Sequence, residues 1–223
     1  MNEFKRVFYI FYKDFSSELR MRFALNALIM FVIVAVSTIL FAIGSERAPQ
    51  NVYAGMFWVV VFFSAMSGLS RAFVSEEERG TNLILSLLAN PISIFLGKFL
   101  FNLILIFFIN YIIAILYLTL FKDFIIQNWN SFLLAFILGN IGIAGSSTII
   151  AAIISKANVR GTLYPVLAFP VLLPLILMLI EITKSAIDGN PVNDVSAEFM
   201  VLISYDVVML TASILVFDII WRD

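Results

Sequence analysis

Apolar runs of about 20 residues recur six times along this chain, and short islands between them carry most of its charge. At 1.5 Å per residue a helix of that length reaches about 30 Å, the thickness of a bilayer's hydrocarbon core. A soluble fold of 223 residues has no place to hide six such stretches. Hydrophobic residues make up 62% and charged residues 13%, against roughly 45–50% and 25% in an ordinary soluble domain. The expected fold class is an all-α integral membrane protein with a single transmembrane domain over residues 1–223. Its spans are expected at about 23–43, 52–70, 95–121, 129–154, 162–180 and 199–220. The first run begins only at Phe23, behind a charged and aromatic stretch with no small-residue cleavage site, so it is expected to be a retained span and not a signal peptide.

Residues 1–22 precede the first span. Within them Lys5, Arg6, Lys13, Arg20 and Arg22 are interleaved with Phe4, Val7, Phe8, Ile10, Phe11, Phe15 and Leu19, a spacing that gathers the aromatics on one helical face. This predicts an interfacial helix lying along the membrane surface. Eleven of the fourteen Lys and Arg fall at the two ends of the chain or around the loops after spans two and four. The three on the other side are Arg47, Lys122 and Lys184. The positive-inside rule then places both termini in the cytoplasm, in accord with an even number of spans.

The chain has no cysteine and no histidine, which excludes a disulfide framework, a thiolate metal site and imidazole ligation of a metal or of haem iron. No G-x-x-x-x-G-K-[ST] sequence is present, so the chain does not bind and hydrolyse ATP by that device. Asp206 falls inside span six, where an ionised carboxylate facing lipid is costly, and is the candidate intramembrane polar site. It reads either as a proton-linked or substrate-facing group, or as a buried carboxylate paired with Asn or backbone donors. Asn102, Asn110 and Asn140 read as amides joining helices, and Gly139, Gly142 and Gly145 as a smooth face for close helix packing. Pro165, Pro170 and Pro174 predict a bent or broken span five. Trp129 and Trp221 read as interfacial anchors, and Lys98 as a side chain snorkelling to the headgroups.

The sharpest local signal is Phe73-Val74-Ser75-Glu76-Glu77-Glu78-Arg79-Gly80-Thr81-Asn82, continuing as an apolar segment to Asn90-Pro91. On physical grounds alone it is a solvated loop with a span-capping turn, since loops between spans often hold a surface helix. The order of acidic residues, Arg-Gly-Thr, apolar helix, Pro91 and then Lys98 resembles the junction between the second and third spans of type-2 ABC transporter permeases. The segment Leu138-Gly139-Asn140-Ile141-Gly142-Ile143-Ala144-Gly145, followed by Lys156, Arg160-Gly161 and Pro165 to Pro174, is most similar to the haem exporter protein B family of cytochrome c maturation. That resemblance implies an ATPase-coupling loop made of Glu76, Glu77, Glu78, Arg79, Gly80, Thr81 and Pro91. Asn82 departs from the glutamate frequent at that position in related permeases, so no docking role attaches to it.

The resemblance further implies a bacterial inner-membrane permease subunit that is not itself an enzyme and binds no cofactor directly. ATP would be used by a cytoplasmic ATPase partner in two copies. Haem would be handled by partners, either another membrane subunit or a second copy of this chain, and no nucleic acid is involved. The competing readings are a type-2 permease exporting a lipid, polysaccharide or drug, an intramembrane enzyme, and an uncoupled scaffold. The enzyme needs paired catalytic groups at one depth, and Asp206 has no second carboxylate at its level.

Overall fold

The computed structural model describes residues 3–20, 22–44, 48–69, 73, 76, 80, 85, 87, 89–156 and 163–222. Among these residues it contains helices and no strands. The elements are α1 (Glu3–Arg20), α2 (Arg22–Ile43), α3 (Gln50–Leu69), α4 (Pro91–Leu120), α5 (Trp129–Ser155), α6 (Leu163–Asp188) and α7 (Ser196–Arg222), with a short 3-10 turn at Val192–Val195 before α7. Six of them, α2 to α7, are long and apolar enough to cross a membrane. The protein is an all-α membrane protein.

The helix at the centre is α5. It packs against α6 and α7 most extensively and also touches α3 and α4. Small residues make that position tenable, because Gly139, Ala144, Gly145, Ser146 and Ser147 let neighbours approach its backbone. A methyl group at Gly139 would stand 2.8 Å from Leu179 of α6 and 3.0 Å from Trp58 of α3. At the edge, α2 buries only a thin stripe of Leu28, Val32 and Val36, spaced four apart. The rest of its apolar surface suits lipid.

The intramembrane amides join helices. Asn102 Nδ2 donates to Thr148 Oγ1 at 2.8 Å and Asn110 Nδ2 to Asn140 Oδ1 at 2.7 Å, both tying α4 to α5. At the bundle end away from α1, the backbone N–H groups of Gln127 and Asn128 both donate to the Ala186 carbonyl, at 3.1 and 2.9 Å. Asn128 also caps α5 by accepting from the Ser131 N–H, and its amide donates to the Asn190 carbonyl at 2.7 Å. Gly189 closes this turn at φ +80°, a left-handed conformation open to glycine.

Helix α6 is longer than expected, and of the two outcomes expected of its prolines, a bend or a break, the break does not occur. It runs on to Asp188, well past Ile180, because the polar interval that follows is itself amphipathic: Ile182, Thr183, Ala186 and Ile187 are buried while Glu181 and Asp188 face outward. Trp58 Nε1 donates to Thr183 Oγ1 at 2.8 Å and holds this extension to α3. Nor do the prolines break the helix. Pro165 sits in the first turn, where its missing N–H costs nothing, and α6 continues through Pro170 and Pro174 with Ala168, Leu172, Leu175 and Leu179 packed into the core.

Candidate functional site

The end of the bundle that carries α1 is built around one buried ammonium group. Lys98 lies two turns into α4 and is 1% exposed, so it does not snorkel. Its Nζ is 3.2 Å from Asp14 Oδ2 on α1 and 3.2 Å from Glu76 Oε1 in the segment after α3. It also stands 4.8 Å from the centre of the Phe73 ring. Two carboxylates and an aromatic face reach the ammonium inside the protein, so it has no need of the headgroups. Glu76 is itself 7% exposed and receives a second ion pair from Lys13. Lys13 pairs with its neighbour Asp14 as well, at 3.2 Å. Burial pulls the Lys13 ammonium toward neutrality, but Asp14 and Glu76 outweigh it and raise its pKa above the usual lysine value.

Close packing brings these groups together. Gly97, beside Lys98, presents a bare backbone to α1, where a Cβ would fall 2.8 Å from Ile10. With α1 seated there, Lys13 and Asp14 reach the cluster. Phe73 continues the contact sideways, since its ring centre lies 5.5 Å from Phe217 and 6.0 Å from Trp221 near the end of α7. Phe95 of α4 closes the group at 5.4 Å from Phe217. Trp221, 9% exposed, thus packs in an aromatic cluster, whereas Trp129 is 48% exposed. Phe73 and Glu76 between them therefore touch α1, α4 and α7.

Of the residues expected to form the coupling loop, Glu76 points inward into this cluster. Gly80 is exposed with φ +65°, and Pro91 opens α4 behind Asn90. Leu85 is buried and Leu87 81% exposed, both in helical conformation. Glu77, Glu78, Arg79 and Thr81 lie outside the described residues. Lys13 and Asp14 were not singled out from sequence. Adjacent opposite charges on a surface helix look solvated until a partner from another helix is known.

Asp206 lies far from this end. It is ten residues into α7, about 15 Å from the helix start, and is 5% exposed. Neither carboxyl oxygen has a hydrogen-bond partner among the described residues, so of the two readings of this acid the pairing with Asn or backbone donors is not seen there; Asn102 and Asn110 donate from α4 to α5, and Asn140 donates to the Phe136 carbonyl. Gly142 of α5 faces it so closely that an added Cβ would overlap Oδ1. Among the described residues no group of three or more His, Cys, Asp or Glu could hold a metal ion.

No curated protein matches the chain. The family model described as CcmB protein matches residues 5–219, nearly the whole length and all six spans. The chain therefore belongs to the CcmB family and is a membrane subunit of a haem-exporting ABC transporter serving cytochrome c maturation, a transport permease that works with an ATPase in an ABC complex.

Proposed function

We propose that this subunit converts ATP-driven motion of two partner ATPase copies into a displacement of its helices, and that the segment from Glu76 to Pro91 receives the push. The observation that carries this reading is the anchoring of Glu76 by Lys98 and Lys13. A loop that merely linked two spans would need no such attachment. Here a load on the loop passes by ion pair to α1 and α4, and by the Phe73 ring to α7. On this reading both termini and the ion-pair cluster are cytoplasmic, which matches the Lys and Arg bias of the loops.

The chain has no imidazole and no thiolate to offer haem iron. Its part in haem handling is accordingly mechanical: it transmits ATP energy to a haem-handling membrane partner that releases a haem-loaded chaperone. The test is affinity purification of the tagged protein in mild detergent, with mass spectrometry of what accompanies it. Recovery of an ATPase together with a second, haem-handling membrane subunit is expected. Recovery of an ATPase with only further copies of this chain would replace the reading with a self-contained exporter, and absence of an ATPase would overturn it. Unchanged ATPase association after substitution of Glu77 and Arg79 would remove the loop as its docking surface.

A further inference from the structure

The contact between α5 and α7 holds a carboxyl group in an unusual state. Asp206 is 95% buried, neither oxygen is hydrogen-bonded, and it is pressed against the bare backbone at Gly142. Among the described residues no cation offsets it. Helix α5 carries no charged side chain from Trp129 to Ser155, and α6 presents Leu175 to the same glycine. The charged groups of α6, Glu181, Lys184 and Asp188, begin six residues beyond Leu175, about 9 Å along the helix. Lys98 of α4 is committed to Asp14 and Glu76. The 3-10 turn and first turn of α7 bring only further acids, Asp194 and Glu198, near the helix start. The neighbouring Tyr205 hydroxyl is occupied, donating to the Val171 carbonyl at 2.9 Å and lying 2.9 Å from the Ser146 hydroxyl.

A carboxylate cannot remain ionised at membrane depth without a partner, whereas a neutral acid can be seated there at modest cost. We propose that Asp206 is an intramembrane proton-binding site, which carries a proton while α7 lies against the glycine face of α5 and releases it when the two helices separate. Release is a simple heterolysis. The carboxyl O–H bond breaks, the proton passes to a water molecule reaching the opened contact, and a hydrated carboxylate remains. Gly142 is the positioning residue: only without a Cβ can the contact close over the acid and keep water out.

The test uses the full-length protein reconstituted in phosphatidylcholine–phosphatidylglycerol vesicles. Infrared spectra with isotope-labelled aspartate should show a protonated-carboxyl band at neutral pH that is missing in Asp206→Asn, an uncharged variant of the same shape. The label reads the band in the unaltered chain as well, so the result does not hang on the variant folding. No such band at neutral pH overturns the proposal. The chain has no cysteine, so Ser213→Cys places a single reporter thiol on the buried face of α7. Its reaction with a maleimide rises with pH in any case as the thiolate forms, so the Asp206→Asn background supplies the baseline: the unaltered chain should show a further severalfold rise as pH passes through the titration of the band. An equal rise in both backgrounds overturns the link between the proton and the seating of α7. Both readouts use the subunit without its ATPase, so they stand or fall apart from the coupling mechanism.

Discussion

Lys98 and Asp206 are both ionisable groups buried in one helical bundle, and they are treated in opposite ways. Around Lys98 the described charges meet opposites: Asp14 and Glu76 receive the ammonium, and Glu76 also takes Lys13. Around Asp206 no described group acts as a partner. A compensated cluster gains from staying closed, because parting any pair strands a charge in low dielectric. An uncompensated acid has one inexpensive way to stay buried, by holding a proton, so its state follows the packing around it. The first arrangement suits the proposed transmission of a load, the second the proposed change of protonation state.

Four substitutions, with one second-site change and one control, probe that contrast, beginning with the largest effect. Lys98→Met should destabilise the protein by about 3 kcal/mol, since it takes the buried cation away from buried Glu76 and half-buried Asp14 and leaves the part-exposed Lys13 to serve both. Thermal unfolding in detergent should show the loss, and adding Glu76→Gln should recover part of it; full additivity would mean that the two side chains do not interact. Gly142→Ala should cost about 2 kcal/mol by forcing apart Asp206, Leu175 and the α5 backbone. Gly55→Ala in α3, where an added Cβ meets nothing within 4 Å, is its control and should be neutral or slightly stabilising in the same assay.

Asn110→Ala should cost about 1 kcal/mol through the lost bond to Asn140, a smaller effect than either charged site. Lys13→Met should be weakest, below about 1 kcal/mol, because its side chain is 45% exposed. Its pKa is raised in the fold, so its contribution is fully present below the unfolded lysine value and lost only as pH rises through the higher folded one. The wild-type minus Lys13→Met difference should therefore stay flat through neutral pH. A slope there would show that another group titrates in the cluster.

Much of the architecture is legible in the sequence because bilayer thickness imposes a repeat length that composition cannot disguise. The packing role of Gly139, Gly142 and Gly145 and the bonding of Asn102, Asn110 and Asn140 follow from residue type and depth alone. What escaped depends on partners distant in sequence. Lys98 looks like a snorkelling residue until Asp14, 84 residues away, is seen beside it. Glu76 belongs to an acidic run and reads as solvated, yet it turns inward to meet two lysines. The end of α6 was hidden because polarity marks where lipid stops, and a helix packed on other helices can continue beyond that level. The absence of a partner for Asp206 among the described residues could not be foreseen, since residue type and depth do not say which donors reach a given carboxyl group.

The turn where Gln127 and Asn128 share the Ala186 carbonyl has a mechanical meaning. It pins the start of α5 and the extension of α6 to one another, while the ion-pair end is joined by side chains that can rearrange. A lever needs a fulcrum, and this turn supplies one. With 27 residues, α5 is about 40 Å long, so a tilt of about 5° around the pinned end moves the opposite end by about 3.5 Å. On the proposed coupling, that is the end where Lys156 faces the Trp221 ring at 5.9 Å, and a displacement comparable to the 3.2 Å spacing of the neighbouring ion pairs would be enough to break and reform contacts there.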